Sequence, residues 1–172
     1  LMVIIGIDPG LHLTGYGVLE SNGRAARILE AGVIKTAGLK NFDGKLNEIF
    51  LQFGEIIRQF APDYIAVEEL YSHYSHPRTA IIMGHARGII FLQAAKNQVP
   101  IVSYASTRIK KSLTGNGRAS KSQVQKMVRS TFRLKEQFYS ADTADALAVA
   151  LCHHNALLGT SAASAKGRRK SR

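Results

Sequence analysis

The stretch that decides the fold is VIIGIDPG, residues 3–10. Its first part, VIIGI, is apolar throughout, and the Pro9-Gly10 pair that closes it is a strong turn signal. A short apolar run bounded in this way predicts a buried β-strand over Val3–Asp8. The strand therefore ends on a carboxylate, Asp8, which is an unusual residue to find at the end of an otherwise apolar segment.

Two further strands are predicted after this one, over Gly15–Glu20 and Ile28–Thr36. Asn22-Gly23 lies between them and has the composition of a tight hairpin turn. Because short loops link all three strands, we expect an antiparallel meander.

The apolar period then changes from two residues to about 3.6, which predicts an amphipathic helix over Asp43–Phe60. Asp43 is a candidate cap, and Pro62 prevents the helix from continuing. The elements expected next are a strand at Tyr64–Glu68, a helix at Arg78–Asn97 and a strand at Ile101–Tyr104.

The C-terminal part is expected to be helical, with a short helix, a flexible loop at Thr114–Ala119 and a helix from Ser120. SKSQ at Ser120–Gln123 has the form of a capping box. The last helix is expected to begin near Ser140 and to stop at Gly159. This order predicts an α/β fold, a five-stranded mixed sheet flanked by helices. We expect a single domain over residues 1–157 and a basic, disordered tail over residues 158–172.

The charge is unevenly distributed along the chain. The formal net charge is +11, and the segment from Ser106 to Lys135 holds nine lysines and arginines and no carboxylate. Such a block is typical of a surface that binds a polyanion, although a solvated basic face explains it equally well.

Four carboxylates stand out by their positions. Asp8 and Glu68 each end an apolar strand, while Asp142 and Asp145 are three residues apart on one helix face. If the two strands are neighbours and the last helix crosses them, all four meet at one end of the sheet. Clustered acids raise each other's pKa values, and hard divalent cations such as Mg²⁺ would relieve the repulsion. Taken singly, Asp8 could be a turn opener and Asp142 a helix N-terminal acid.

A family resemblance appears in five motifs. They occur in the order and approximate spacing seen in the RuvC family of Holliday junction resolvases, and the match covers about residues 2–155. The motifs are GIDPG at 6–10, TGYGV at 14–18, IAVEE at 65–69, ASKSQVQKMV at 119–128 and ADTADALAVAL at 141–151.

The resemblance implies a ribonuclease-H-like fold and a homodimer that nicks two strands of a four-way DNA junction symmetrically during recombination and repair. Asp8, Glu68, Asp142 and Asp145 match the metal-binding catalytic quartet of the family. From the chemistry of divalent cations we expect two Mg²⁺ ions per site, with Mn²⁺ able to substitute, and a metal-activated water that leaves 5′-phosphate and 3′-hydroxyl ends. A RuvA–RuvB-type branch-migration complex is the partner that the resemblance implies.

The resemblance also implies DNA-binding residues. Lys110 and Lys121 match phosphate-binding lysines, and Tyr71 matches an aromatic residue that stacks on an unpaired base, although ordinary loop packing is the alternative. Arg118 lies in a Gly-Asn-Gly-Arg loop that could approach a phosphate or be a simple linker. The helix Arg78–Asn97 is expected at the dimer interface, whereas its Gly84 and Gly88 could equally serve close packing on the sheet.

Other features limit the alternatives. No apolar run approaches the roughly 18 residues of a membrane span, and we expect a cytoplasmic protein without membrane contact. Cys152 is expected to be a buried thiol, and the six histidines show no zinc spacing. Two other functions stay open: a non-catalytic basic DNA-binding protein, and a related nuclease acting on RNA–DNA hybrids. An acetate- or sugar-kinase-like ATPase would need a second domain that 172 residues cannot supply.

Overall fold

The computed structural model describes residues 1–70, 77–134 and 140–169, with side chains described as far as residue 159. Its elements follow the predicted order. They are β1 (Met2–Asp8), β2 (Leu13–Ser21), β3 (Ala26–Lys35), α1 (Phe42–Phe60), β4 (Tyr64–Glu68), α2 (Pro77–Lys96), β5 (Ile101–Tyr104), α3 (Ser106–Thr114), α4 (Lys121–Phe132) and α5 (Ala141–Arg169).

One five-stranded sheet organises the molecule, in the order β3-β2-β1-β4-β5. The antiparallel pairing of β1 with β2 and of β2 with β3 confirms the predicted meander. β4 pairs in parallel with β1, and β5 pairs in parallel with β4, so the sheet is mixed. β1 is the central strand, which explains why its sequence is almost wholly apolar.

Helices cover both faces of the sheet, and a separate hydrophobic core lies on each side. Ile4 belongs to the core under α3, α4 and α5, while Ile5 and Ile7 belong to the core under α1 and α2. The second core is centred on large side chains without solvent exposure, such as Phe53 of α1. Side chains that alternate along β1 therefore serve opposite faces, as the pleat of a strand requires.

Two predicted helix ends differ from the structure. The N-cap of α1 is Asn41, so Asp43 is not the cap but lies in the first turn, where its charge suits the helix dipole. α5 does not stop at Gly159 but continues to Arg169. A helical glycine costs only about 1 kcal/mol relative to alanine, and the Ala-rich segment after it favours helix.

Two other sequence predictions concern the C-terminal half. The capping box is confirmed, because the Ser120 hydroxyl accepts from the Gln123 N–H and the Gln123 side chain accepts from the Ser120 N–H. The division into a domain (1–157) and a tail (158–172) stays a prediction, and α5 crosses the proposed boundary. Among the described residues, no helix is long and apolar enough to cross a membrane.

Candidate active site

The two strand-end carboxylates are neighbours. β1 and β4 are parallel and adjacent, and Ile7 lies opposite Val67 in their register. Asp8 and Glu68 follow these residues directly, so both stand at the carboxyl edge of the sheet, side by side. The strands that end at Asp8 and Glu68 are therefore neighbours, which the sequence analysis required but could not establish.

The last helix brings the other two carboxylates to the same edge, because glycines in the strands let it approach. A Cβ atom at Gly6 would lie 2.1 Å from the Ala146 carbonyl oxygen, and one at Gly15 would lie 2.2 Å from that of Asp142. Gly15 pairs with Asp8 across the β1–β2 ladder. The first turn of α5 therefore lies against the sheet position next to Asp8.

Asp8 shows how closely these acids are grouped. The pKa of its carboxyl is raised from 3.8 to about 7, mainly by burial and in addition by the nearby charges of Asp145, Glu68 and Asp142. Lys121 acts in the opposite direction. The other three predicted carboxylates thus all lie within electrostatic reach of Asp8, at a position that favours a cation.

Lys121 already supplies positive charge here. Its Nζ lies 2.5 Å from Asp145 Oδ2, and this hydrogen bond is the main reason that its pKa is raised. On the same face of α4, one turn later, the Gln125 amide donates to Asp145 Oδ1 at 3.4 Å. Asp145 is the more buried partner of the ion pair, with 17% of its side chain exposed against 63% for Lys121.

Two cavities open beside the acids. The larger, of about 750 Å³, is lined by Asp8, Glu68 and Lys110 together with an apolar wall that includes Leu70 and Met83. The smaller, of about 270 Å³, is lined by Glu68, Lys110, Lys121 and Asp145. Glu68 and Lys110 border both cavities, so a ligand that filled them would contact carboxylates and ammonium groups together.

Glu68 and its neighbour Glu69 differ in solvent exposure, because successive side chains of an extended backbone point in opposite directions. Glu68 is half-buried, whereas Glu69 is exposed. The Glu69 N–H donates to the Tyr104 carbonyl at 2.9 Å, which extends the pairing of β4 with β5 beyond the strand end.

The structure does not bring all of the predicted DNA-binding residues to this place. Arg118 is exposed in the turn after Gly115 and lines neither cavity, and its N–H donates to the Asn116 side chain at 2.9 Å. Tyr71 lies outside the described residues. Lys110 and Lys121 are therefore the two predicted cations that the fold places against the carboxylates.

The carboxylate oxygens of the four acids are suitable ligands for a hard cation, although they do not already surround a single ion position. Within the described part of the chain, no three His, Cys, Asp or Glu side chains are arranged so that they could hold a metal ion as they stand. Carboxylate oxygens are nevertheless the donors that Mg²⁺ prefers, and this ion usually keeps several waters and takes few protein ligands. Burial and the neighbouring carboxylates both raise the pKa of Asp8, and a bound cation would offset both effects by stabilising the ionised carboxylate.

Sequence reasoning missed two side chains at the site. Gln125 could have been found, because it lies four residues after Lys121 on a helix that was predicted. Arg87 of α2 could not, since only the packing of α2 on the sheet brings its guanidinium to the Glu68 carbonyl. The exclusion of the described histidines His153 and His154 agrees with their buried contacts to Tyr104 and Ser21, and Cys152 is buried as predicted.

Comparison with known proteins identifies the family. A family model described as crossover junction endodeoxyribonuclease RuvC matches residues 4–153. The chain belongs to the RuvC family. Relatives of that description include one from Rhodopirellula baltica, 48% identical over 151 residues, which span 88% of this chain and 85% of the relative. Another, from Vibrio vulnificus, is 39% identical over 174 residues, spanning 98% and 99% of the two chains.

Solved structures agree with this membership. Thermus thermophilus RuvC in complex with a Holliday junction substrate superimposes with a TM-score of 0.82 at 35% identity, over 93% of this chain and 98% of that one. The yeast mitochondrial Holliday junction resolvase Ydc2, at 15% identity and a TM-score of 0.63, covers 91% of this chain and 80% of its own and shares the fold alone. The predicted ribonuclease-H-like α/β fold, with its five-stranded mixed sheet, is confirmed.

Proposed function

We propose that this protein is a DNA endonuclease that resolves four-way (Holliday) junctions by paired symmetric nicks during homologous recombination and repair. The observation that carries the proposal is the meeting of Asp8, Glu68, Asp142 and Asp145 at one edge of the sheet in a RuvC family chain. Support for the substrate comes from the junction-bound Thermus thermophilus relative.

We propose Asp8, Glu68, Asp142 and Asp145 as the side chains that hold divalent metal, with two Mg²⁺ ions per site and Mn²⁺ as a substitute. When bound by these carboxylates, such ions would supply the activation of water and the charge stabilisation that a phosphoryl displacement needs, and the expected products carry 5′-phosphate and 3′-hydroxyl ends. The protein's own contribution is to hold these half-buried carboxylates together, so that they attract cations.

Lys110 and Lys121 are proposed to hold the scissile phosphate. Both border the cavity beside Glu68 and Asp145, and ammonium groups at that place would neutralise phosphate charge and fix its position. Lys121 forms an ion pair with Asp145, and we infer that its ammonium group exchanges this carboxylate for a phosphate when DNA binds. Arg118 and Tyr71 are proposed as further DNA contacts, on the family resemblance.

The direct test is cleavage of a synthetic four-way junction with and without Mg²⁺, compared with a linear duplex and an RNA–DNA hybrid. We expect Mg²⁺-dependent, symmetric nicking of the junction alone. Asp8→Asn should keep junction binding and lose cleavage, and Asp43→Asn, at an exposed carboxylate of α1, is the matched control. Binding without cleavage by the wild-type protein would favour a non-catalytic DNA-binding role, and preferred cleavage of the hybrid would favour a ribonuclease.

We also propose a homodimer, formed through the outer face of α2. The idea that Gly84 and Gly88 serve close packing on the sheet is wrong, because an added Cβ at either would meet no described atom within 4 Å. On the same helix Ile81 is 61% exposed and Leu92 49% exposed. Small and apolar residues on one exposed helix face suit close contact with a second copy, and a two-fold dimer suits a two-fold symmetric junction.

The mass of the protein in solution tests the dimer. Sedimentation should give a dimer for the wild type and a monomer for Gly88→Glu, with the melting temperature of the monomeric fold little changed. A wild-type monomer at micromolar concentration would contradict the proposal. On the family resemblance, we further propose a cytoplasmic location and a RuvA–RuvB-type branch-migration complex as partner.

A further inference from the structure

Arg87 of α2 lies beside the ends of β4 and β5, and its side chain is not that of a freely solvated surface arginine. It belongs to the face of α2 that packs towards the sheet, next to the buried Ala86, and its side chain is half-buried. Burial lowers the pKa of its guanidinium, and the nearby charge of Glu69 only partly offsets this. Partial burial of a charged guanidinium costs desolvation free energy, which hydrogen bonds to the guanidinium must offset.

The contacts of Arg87 converge on the end of β4. Its Nη1 donates to the main-chain carbonyl of Glu68, and its Nη2 donates to Ser103 Oγ of β5 at 2.8 Å. Its guanidinium carbon lies 4.8 Å from the ring centroid of Phe91, one turn further along α2. The planar, two-pronged donor group thus joins β4 and β5 while an aromatic ring supports it from the side.

The hydrogen bond from Arg87 acts on Glu68, whose carboxylate must point towards the site if it is to bind a metal ion. The register of β1 with β4 ends at Val67, so the carbonyl of Glu68 lies beyond the last ladder pair on that side. The N–H of the peptide that follows Glu68 is held by the Tyr104 carbonyl, and the Arg87 donor holds its carbonyl oxygen. The two bonds together restrain the backbone from which the Glu68 carboxylate projects. Removing an outer-shell partner of a metal-ligating side chain typically changes metal affinity or activity by about 10- to 100-fold, and we expect a support that acts through the backbone to lie at the lower end of this range.

We propose that Arg87 is a positioning residue, which holds the main chain at Glu68 so that the carboxylate points into the cavity shared with Asp8 and Lys110. The inference rests on the proposed role of Glu68 as a metal ligand and deepens it. α2 would then have two roles: one face forms the proposed dimer contact, and Arg87 supports the end of β4.

The test compares Arg87→Lys, Arg87→Gln and Ser103→Ala with a matched control, Arg58→Lys, at an exposed arginine whose ion pair with Glu55 lies on the surface of α1. Two properties are measured: Mn²⁺ binding to the DNA-free protein by electron paramagnetic resonance, and the Mg²⁺ concentration that gives half-maximal single-turnover cleavage of a four-way junction. Melting temperature and metal-free junction binding are recorded for each variant.

We expect about a tenfold weaker Mn²⁺ affinity and a similar rise in half-maximal Mg²⁺ for Arg87→Gln. Arg87→Lys should lie between it and the wild type, because an ammonium can serve one acceptor but not both in a fixed fork. Ser103→Ala, which keeps the bond to Glu68, should shift both values about two- to threefold in the same direction, and Arg58→Lys should shift neither. Junction binding without metal should change by less than about twofold.

A lower melting temperature with wild-type metal dependence in Arg87→Lys and Ser103→Ala would overturn the inference and leave Arg87 as a clamp for the fold only. If Arg87→Gln does not fold, these two variants decide the matter. Failure of the proposed function is a different result: the wild type would not cut the junction, or Glu68→Gln would cut it normally. In that case Mn²⁺ binding still shows whether Arg87 acts on the site.

Discussion

Replacing Asp8 by asparagine should stabilise the metal-free protein, and the gain should grow between pH 5 and pH 8. The carboxyl has a pKa of about 7 in the folded chain against 3.8 as its ordinary value. Between these two values the folded state binds a proton more tightly than the unfolded state. The wild type therefore loses stability as the pH rises through this window, whereas asparagine does not titrate.

The size of the effect follows from the shift. One pKa unit corresponds to about 1.36 kcal/mol, so the shift of roughly three units is worth about 4 kcal/mol once both states are ionised, of which about 2.5 kcal/mol develops between pH 5 and pH 8. Solvent at this partly exposed site screens some of it, and we expect a change of about 1 to 2.5 kcal/mol in the difference between the two proteins.

Urea unfolding at several pH values, with a chelator present, measures this difference. Titrating groups distant from Asp8 change both proteins alike and cancel when the two curves are subtracted. Added Mg²⁺ should stabilise the wild type at pH 8 by binding the ionised carboxylates, and should stabilise Asp8→Asn much less. The control, Asp43→Asn, should show a difference from the wild type that does not grow with pH.

A difference that is the same at pH 5 and pH 8, or one that shrinks as the pH rises, would refute the reasoning. Either result would mean that Asp8 is not held among carboxylates in a poorly solvated place, and the basis of the proposed metal site would be lost with it.

Other predictions concern the packing, the caps and the buried histidines. Gly6→Ala should destabilise the protein by several kcal/mol in urea unfolding, because its Cβ would collide with the α5 backbone, whereas Gly159→Ala, in α5 with open space around it, should be neutral or stabilising by up to about 1 kcal/mol. Ser120→Ala should cost about 1 kcal/mol, since it removes one half of the capping box, and a loss below a few tenths would contradict the assigned cap. Burial lowers the pKa values of His153 and His154 from 6.5, so the unfolded chain binds protons more readily and stability should fall as the pH drops below about 6.5. His153→Phe should reduce this acid sensitivity, and an unchanged slope of stability against pH would show that His153 does not contribute to it.

Local pattern was sufficient to predict most of the elements. The apolar run before Asp8, the helical period of α1 and the capping box at Ser120 are all written in a few neighbouring residues, and each was found where expected. Errors occurred at helix ends. The cap of α1 and the end of α5 depend on small energy differences of about 1 kcal/mol, which neighbouring residues do not fix.

The sequence by itself determined that carboxylates end two apolar strands and that two more share a face of the last helix. Only the tertiary structure decided that they meet, because Asp8 and Asp145 are far apart in the chain and are joined by the packing of α5 on the glycines of β1 and β2. The same holds for the Lys121–Asp145 ion pair and for Arg87 at the Glu68 carbonyl. Periodicity is a property of adjacent residues, whereas these contacts arise from shape and close approach between distant elements, which no local pattern records.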